Sequence, residues 1–464
     1  MNFLNKYKYS FLLGLLAGLS FPPFYLIIFL PISFYYLVEK INNSDTYKNA
    51  FLNSFIFGFG YYLIQLYWIS FSLFVDIKSY FWLFPFALTL IPLACAFFIA
   101  LTGILTKYLI TKFKIKNKFL ITLIFAFSYV IFEYLKGLIF PWNLFAYVLG
   151  FSDTLIQIVS VINIYIFDFI LIVFFCGSYV LYDFQNKKII NKKYIIIYIL
   201  IFLTIFLFGF FRLKYAKQIT LNKSFRLVQA NIKQSAKWDI LEAQNNIQKH
   251  LDLTWQDSLE DIDFIIWSES SMPFLITDDI ELPENFKLKD KILITGGVRG
   301  KIENNKLKQV WNSIFIFKDN KILDYYDKTI LVPFGEYIPF KKFLPFIGKI
   351  TNGAIDFSKG KQNKTIEIDG LKISPIVCYE VIFPDRIIDK NNKPDIIINL
   401  TNDGWFGISS GPYQHLVATK FRAIENNLPI IRVSNSGITA YIDNYGRVIK
   451  KIKLHKVGFL DVDI

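Results

Sequence analysis

Three residues in the polar half of the chain have the chemistry of an acyl-transfer site. Cys378, in SPIVCYEVIFPD, is the only cysteine outside the apolar half. Glu269 stands in FIIWSESSMPF and Lys328 in YYDKTILVPFGEYIPF. Each follows a short apolar run rich in β-formers, which predicts a position at or just beyond a strand end. A thiol, a carboxylate and an ammonium delivered in this way can form one site.

The chemistry of these groups suggests a separate task for each. A thiol is a poor nucleophile until it is deprotonated, so Cys378 needs a base. Glu269 can take the proton, while Lys328 can face a developing oxyanion and favour the thiolate. Each residue alone has a plainer explanation, because a lone buried cysteine usually packs and a glutamate after a strand is usually exposed. The set is more specific than its members.

The composition places this chemistry at a membrane. Of the 464 residues, 54% are hydrophobic and 18% aromatic, which is too apolar for a soluble enzyme of this length. The long apolar stretches end near residue 212, so we expect a transmembrane helical domain at 1–212 and a catalytic α/β domain at 213–464. The net charge of +14 does not indicate nucleic-acid binding, because many lysines lie in short loops between predicted spans.

About seven transmembrane spans are predicted from the apolar runs. The first two form a hairpin broken at Pro22-Pro23, and we expect no cleavable signal peptide because no small-residue cleavage site follows the first run. The lysine-rich loops at 107–118 and 187–193 are predicted to be cytoplasmic, which places the chain after residue 212 outside. The predicted spans are 9–21, 24–38, 50–72, 80–106, 119–135, 161–183 and 194–212.

The loop at 136–153, KGLIFPWNLFAYVLGFSD, is predicted on the same side as the catalytic domain. It has two equally good interpretations: an interfacial aromatic belt, or a membrane-level floor that receives lipid chains. Glu133 and Lys136 beside it are expected to pair or to snorkel. Asp168, inside the apolar run IYIFDFILIV, has no role that the sequence assigns.

The outer domain alternates strand-like and helical runs. Helical patterns fall near 239–258 and 411–427. The runs predicted as strands are FRLVQANI, DFIIWS, KILITGG, VWNSIFIF, KISPIVC, DIIINLT and PIIRVSN. Buried apolar strands separated by helices predict an α/β layered fold with a largely covered sheet.

Four motifs resemble the nitrilase (carbon–nitrogen hydrolase) superfamily, whose triad is Glu-Lys-Cys: WSESSMPF, DKTILVPFGEYIPF, CYEVIFPD and NLTNDGWFGISSGPYQH. With GLSFPPF and KGLIFPWNLFAY in a multi-span N-terminal region, nearly the whole chain resembles the apolipoprotein N-acyltransferase family. The resemblance implies a nitrilase-like αββα sandwich outside the cytoplasm, carried on a multi-pass helical membrane domain. It also implies a further transmembrane helix after the sandwich, whereas this sequence ends at VGFLDVDI.

The resemblance also implies roles for individual residues. Its catalytic residues are Glu269 as general base, Lys328 as oxyanion-stabilising partner and Cys378 as nucleophile. The residues that it implies in supporting positions are Glu336, Tyr379 and Glu380. Those that it implies near the lipid entrance are Trp238, Trp405 and Phe406.

The implied reaction is a ping-pong acyl transfer between two membrane substrates. An acyl chain passes from a membrane glycerophospholipid, phosphatidylethanolamine, to Cys378, and then from the thioester to the α-amino group of diacylglyceryl-cysteine on an apolipoprotein. The implied location is the bacterial inner membrane, with the catalytic domain on the periplasmic side. No metal or cofactor is expected, because the histidines His250, His415 and His455 are scattered and no nucleotide-binding fingerprint is present.

Three other functions stay open. A membrane-anchored nitrilase-type amidase acting on a small amide needs the same triad but not an apolar loop such as 136–153. A serine hydrolase is suggested by GISSG, followed by Asp443 and His455, yet the loop NDGWFG separates this serine from its strand. A lipid or lipoprotein carrier would leave Cys378 as a packing residue.

Overall fold

The structure, a computed structural model, consists of two units. One comprises Met1–Phe71 and Ser79–Ala216, and the other Ser72–Lys78 and Lys217–Ile464. The residues that it describes are 3–183, 188–189, 192–277, 280–286, 290–339, 341, 355–361 and 364–464.

Long apolar helices make up the first unit. Among the described residues, five segments are long and apolar enough to cross a membrane: Tyr47–Val75, Phe81–Lys112, Lys118–Gly137, Ile164–Leu181 and Lys193–Lys214. The two arms predicted around Pro22-Pro23 are helices of 16 and 14 residues, which are shorter than a full span. Within the predicted lysine loop at 187–193, positions 187, 190 and 191 lie outside the described residues.

The helices before residue 215 are α1 (Phe3–Gly18), α2 (Phe29–Asn42), α3 (Tyr47–Leu66), α4 (Ile77–Tyr80), α5 (Phe84–Lys112), α6 (Lys118–Gly137), α7 (Ile164–Phe175), α8 (Gly177–Leu181) and α9 (Lys192–Lys214). A two-stranded hairpin of β1 (Tyr182–Asp183) and β2 (Lys188–Ile189) lies between α8 and α9.

Buried charges hold the loop that follows α6 inside the helical unit. The Lys136 ammonium lies 2.8 Å from a Glu133 carboxylate oxygen and donates to the carbonyl of Trp142 at 3.4 Å. Asp168 Oδ1 accepts a hydrogen bond from the amide of Ala146 at 2.6 Å. Irregular backbone at membrane depth needs such internal partners. Asp168, whose role could not be assigned from the sequence, therefore anchors this loop.

The loop is largely part of the packing of its own unit. Residues 141–150 are all buried. Its exposed large apolar side chains are Leu138, Ile139 and Phe151. The exposed apolar surface of this loop therefore lies at its two ends, and its middle packs within the helical unit.

In its described residues, the second unit has two β-sheets and two long α-helices. The strands are β3 (Ser224–Gln229), β4 (Phe264–Trp267), β5 (Leu275–Ile276), β6 (Ile292–Glu303), β7 (Lys306–Lys318), β8 (Lys321–Asp327), β9 (Ile366–Ile368), β10 (Leu371–Val377), β11 (Ile396–Thr401), β12 (Ile430–Ser434), β13 (Thr439–Ile442), β14 (Val448–Ile452) and β15 (Gly458–Asp463). The helices are α10 (Ala243–Thr254) and α11 (Gly411–Asn426). The strand orders are β14-β13-β12-β11-β10-β9 in one sheet and β15-β3-β4-β6-β7-β8, with β5 paired to β6, in the other.

The two sheets pack face to face, with one helix on each outer side. Ile266 of β4 faces the core between the sheets, whereas its neighbour Ile265 faces outward and packs with Leu251 of α10. On the other sheet, Val433 of β12 faces the same inter-sheet core. The preceding residue, Arg432, points to the opposite face. This alternation, with apolar residues on both faces, produces the predicted αββα sandwich.

The direction of the strands determines where the predicted site residues lie. β3, β4 and β6 pair in parallel in one sheet, and β10, β11 and β12 pair in parallel in the other. Glu269 follows β4, Cys378 follows β10, and Asp403 follows β11. Because the carboxyl ends of parallel strands lie at one edge of a sheet, each sheet presents its polar residues at one end.

Candidate active site

Cys378 occupies a sharp turn at the end of β10. Its φ is +48°, a left-handed conformation that is uncommon for a residue with a side chain, and it begins the 3-10 helix Cys378–Ile382. The residue is buried, with 7% of its surface exposed. Burial and the nearby Glu269 carboxylate raise the pKa of the Cys378 thiol to about 12, although the Lys328 charge acts in the opposite direction. The resting group is therefore a thiol that needs a base.

Glu269 offers one carboxylate oxygen that is free to accept a proton. Its Oε1 accepts a hydrogen bond from Asn312 Nδ2 at 2.7 Å, while its Oε2 is buried and has no hydrogen-bond partner in the described part of the chain. The following residue, Ser270, has a φ of +50°. Gly296 of β6 lies against this turn, and a Cβ there would stand 2.6 Å from Glu269 Cα. The absence of a side chain at Gly296 therefore allows the turn to form.

Lys328 follows β8 and is buried as an ion pair. Its Nζ lies 3.0 Å from Glu336 Oε1, and the side chains are 1% and 6% exposed. Burial lowers the pKa of Lys328, but the carboxylates of Glu336 and Glu269 outweigh it and raise the pKa above its ordinary value. Lys328 is consequently a fixed positive charge, close enough to act on the Cys378 thiol.

Asn312 connects the two glutamates, and sequence reasoning missed it. Its Nδ2 donates to Glu269 Oε1 at 2.7 Å and to Glu336 Oε1 at 2.8 Å. The Asn312 amide thereby holds both carboxylates, and the Lys328 ammonium pairs with the one that belongs to Glu336. A signal was present, because Asn312 is a polar residue in the apolar strand VWNSIFIF, and buried polar groups need partners.

The predicted supporting residue Glu380 ties the nucleophile turn to the lysine turn. Its Oε1 accepts from the amides of Thr329 at 2.7 Å and Ile330 at 3.1 Å, and its Oε2 accepts from the amide of Val377 at 2.8 Å. Burial raises the pKa of Glu380, and these backbone donors partly oppose that effect. Its neighbour Tyr379 is also buried and packs edge-on against Phe383. The contacts of Glu380 and Tyr379 therefore stabilise the turn at Cys378.

A second buried polar group contacts the backbone of Cys378. His415 Nε2 lies 3.2 Å from the Cys378 carbonyl oxygen, and because a carbonyl only accepts, Nε2 is the donor. His415 Nδ1 faces Asp403 Oδ1 at 2.9 Å and Arg432 Nη2 at 3.1 Å, and Arg432 also donates to Asp403 Oδ2 at 2.7 Å. Sequence reasoning weighed His415 only as a metal ligand and missed this contact.

The charges of Asp403 and Arg432 determine the protonation of this buried cluster. Burial raises the pKa of Asp403, but Arg432 and His415 outweigh it and hold that pKa at about 2. Burial and the Arg432 charge lower the pKa of His415. Asp403 and Arg432 therefore form a buried ion pair that fixes the imidazole ring under the turn of Cys378.

The three predicted lipid-site aromatics lie on two adjacent segments. Gln234 Oε1 accepts a hydrogen bond from Asn402 Nδ2 at 2.7 Å, which joins the segment before Trp238 to the loop that carries Trp405 and Phe406. All three aromatic side chains are partly exposed. The Phe406 ring packs edge-on against His415, with the ring centroids 6.1 Å apart.

The comparisons with known proteins cover both units. Residues 13–177 match the family model of the apolipoprotein N-acyltransferase N-terminal domain, and residues 226–464 match the carbon-nitrogen hydrolase model. A protein of Rickettsia typhi named apolipoprotein N-acyltransferase is 38% identical over 461 residues, which cover 97% of this chain and 90% of that protein. A protein of Rhodopseudomonas palustris with the same name is 34% identical over 480 residues, which cover 97% of this chain and 88% of that protein.

The chain belongs to the apolipoprotein N-acyltransferase family. Members of this family are acyl-transferring enzymes, so the carrier alternative, with Cys378 as a packing residue, is not supported. The predicted family and the predicted fold are both confirmed. The roles of the individual site residues stay predictions.

The serine-hydrolase alternative has no support within the described residues. Ser409 Oγ donates to the carbonyl of Phe406 at 2.7 Å, and Asp443 accepts from Arg447 Nε at 2.7 Å. His455 Nε2 has no hydrogen-bond partner in the same part of the chain. Among the described residues, Ser409, Asp443 and His455 are therefore not hydrogen-bonded to one another as a triad requires. The described residues also contain no cluster of three metal-ligating side chains.

Proposed function

We propose that this member of the apolipoprotein N-acyltransferase family transfers a fatty acyl chain to apolipoproteins through Cys378. The observation that carries the proposal is the buried Cys378 thiol, which feels the charges of Glu269 and Lys328, together with a Glu269 oxygen that has no hydrogen-bond partner among the described residues. A nucleophile, a base and a cation within one buried site are the parts that acyl transfer needs.

The first half-reaction forms a thioester. Glu269 Oε2 removes the thiol proton, and the thiolate of Cys378 attacks the ester carbonyl carbon of a membrane phospholipid. Lys328 stabilises the oxyanion that forms on the carbonyl oxygen. When the carbon–oxygen bond breaks, the proton held by Glu269 passes to the leaving alkoxide. The products are the acylated Cys378 and a lysophospholipid.

The second half-reaction transfers the chain to nitrogen. The neutral α-amino group of a diacylglyceryl-cysteine attacks the thioester carbonyl carbon, and Glu269 accepts a proton from that nitrogen. The carbon–sulfur bond then breaks, and the Cys378 thiolate takes the proton from Glu269. An amide is formed and the enzyme returns to its starting state. The burial of Cys378 limits competing hydrolysis of the thioester by water.

The donor and the location are finer parts of the proposal. The protein is a multi-pass membrane protein whose substrates are a membrane lipid and a lipoprotein. We propose phosphatidylethanolamine as the donor and the bacterial inner membrane as the site, with the catalytic unit in the periplasm. The lysines between 107 and 118 support this orientation through the positive-inside rule. A reporter fused after residue 464 that is active only in the cytoplasm would contradict it.

Intact-mass measurement of the purified full-length protein tests the acyl carrier. After incubation with phosphatidylethanolamine vesicles, the wild type should gain one fatty-acyl mass, and peptide mapping should place it on Cys378. Cys378→Ala should gain none, whereas Cys95→Ala and Cys176→Ala should be acylated as the wild type is. An increment that persists in Cys378→Ala would mean that another residue carries the chain.

A further inference from the structure

Lys237 is a buried lysine beside the proposed base, and neither half-reaction described above uses it. It is 3% exposed, and its Nζ donates to the main-chain oxygen of Glu269 at 2.7 Å. In the part of the chain that the structure describes, this is the one hydrogen bond of the ammonium. Burying an ammonium against a neutral carbonyl is unfavourable unless a negative charge lies close by.

The negative charges close to Lys237 belong to the catalytic groups. Burial lowers the pKa of Lys237 to about 8, and the charges of Glu269 and of ionised Cys378 act in the opposite direction. Such interactions are reciprocal, so a charge on Lys237 stabilises the carboxylate of Glu269 and the thiolate of Cys378.

We propose that Lys237 is a positioning residue of the acyl-transfer site, which fixes the main chain of Glu269 and supplies the charge that balances the proton transfer. Lys328 is already paired with Glu336 at 3.0 Å. Lys237 is then a second cation which, beside Lys328, balances the Glu269 carboxylate before the proton moves and the Cys378 thiolate afterwards. This inference rests on the proposed roles of Cys378 and Glu269.

The hydrogen bond of Lys237 lies where the backbone needs support. The carbonyl of Glu269 that it holds begins the peptide to Ser270, whose φ is +50°. Gly296 also lies against this turn, with Ser270 N only 2.5 Å from the position that a Cβ would take. Lys237 and Gly296 thus both contact the backbone of this turn, so loss of the lysine contact should displace the carboxylate.

Other charged groups lie close to this pair and must stay constant in a pH experiment. His250, whose pKa burial lowers to about 4, is also influenced by the charge of Lys237. The remaining charged and titratable groups around the thiol and the base are Lys328, Glu336, Glu380, Asp403 and His415. None of them is altered in the variants below.

The test is the pH dependence of Cys378 alkylation by iodoacetamide, measured by peptide mass on the full-length protein in detergent. Lys237→Met removes both the charge and the donor, Lys237→Gln keeps a donor without the charge, and Lys237→Arg keeps the charge. The matched control is Lys420→Met, which removes another buried lysine, from helix α11. Thermal unfolding of each variant is recorded in the same detergent.

Below the Lys237 pKa of about 8, where the lysine is charged, Lys237→Met and Lys237→Gln should be alkylated about tenfold more slowly than the wild type, and the difference should shrink at higher pH as the wild-type lysine loses its proton. Lys237→Arg should stay within about threefold of the wild type, because it keeps the charge. Lys420→Met should show the wild-type profile. A wild-type profile in Lys237→Met or in Lys237→Gln would overturn the inference, and so would loss of folding in both, since either result assigns the lysine a purely structural role.

This test does not depend on the lipid substrates. A wild type that is alkylated with the expected pH dependence but forms no thioester from phospholipid would refute the proposed function and leave the inference on Lys237 standing. If the wild type forms the thioester but Lys237→Met is alkylated with the wild-type pH profile, the inference on Lys237 is refuted and the proposed function stands.

Discussion

The Nε2 atom of His415 donates a hydrogen bond to the carbonyl oxygen of Cys378 at 3.2 Å. The carbonyl belongs to a residue in a left-handed conformation, so an imidazole on helix α11 holds the strained turn that presents the thiol. Arg432, which is itself paired with Asp403, donates to Nδ1 of that imidazole and fixes it in turn. The shape of the nucleophile turn thus depends on a buried ion pair on the outer face of the sheet.

The first prediction follows from this contact. His415→Leu leaves the Cys378 carbonyl without its donor, and a buried polar group without a partner costs about 1–3 kcal/mol. Thioester formation from phospholipid, followed by intact mass, should fall at least about tenfold. His415→Gln, which keeps a side-chain N–H donor, should retain more of the rate. An unchanged rate in His415→Leu would show that the turn at Cys378 keeps its shape without this hydrogen bond.

The second prediction concerns the turn of the base. Gly296→Ala would place a Cβ 2.6 Å from Glu269 Cα and 2.5 Å from Ser270 N, and these backbone atoms cannot rotate away. Thioester formation should fall by about a hundredfold or more, because small displacements of a catalytic group are costly.

The neighbouring glycine provides the control for that prediction. The closest atom to a Cβ at Gly297 is the Cδ1 tip of Ile276, at 2.9 Å, which a rotation can move. Gly297→Ala should therefore reduce the rate far less than Gly296→Ala. Equal rates in the two variants would mean that the position of Glu269 does not limit catalysis.

The third prediction concerns lipid entry. Acyl chains must reach Cys378 without crossing water, since each exposed methylene costs about 0.8 kcal/mol. Trp238→Ala or Trp405→Ala should slow thioester formation from phospholipid far more than alkylation of Cys378 by iodoacetamide. Comparing two rates on one protein removes general folding defects, and Trp255→Ala, at the end of helix α10, serves as the control. Equal loss of both rates would assign the two tryptophans a structural role.

The sequence predicted the strands that carry strong apolar runs and the residues that follow them. β10 and β11 end at Val377 and Thr401, directly before Cys378 and Asn402, and β4 ends at Trp267, two residues before Glu269, because the apolar runs themselves mark the buried strands. Strand β14, VIKKI, was missed because it is mostly exposed and carries few apolar residues. The loop after α6 was open to two interpretations, because its buried partners, such as Asp168, are distant in the sequence.

The contacts between side chains were beyond the reach of sequence reasoning. Asn312, His415 and Lys237 act on residues that are 43, 37 and 32 positions away in the chain. A single sequence shows that such polar residues stand in apolar surroundings, but their partners depend on how the strands are ordered in the sheets. Glu269, Lys328 and Cys378 could be proposed from the sequence because each stands in its own dense motif.

The most direct test of the account follows one acyl chain through both half-reactions. The wild-type enzyme is charged from phosphatidylethanolamine vesicles, freed of lipid, and then given a peptide that begins with diacylglyceryl-cysteine. We predict that the fatty-acyl mass on Cys378 disappears as the same mass appears on the α-amino group of the peptide, and that Cys378→Ala transfers nothing. Acylation of the peptide by Cys378→Ala, or a charged wild type that never discharges to the peptide, would contradict the account.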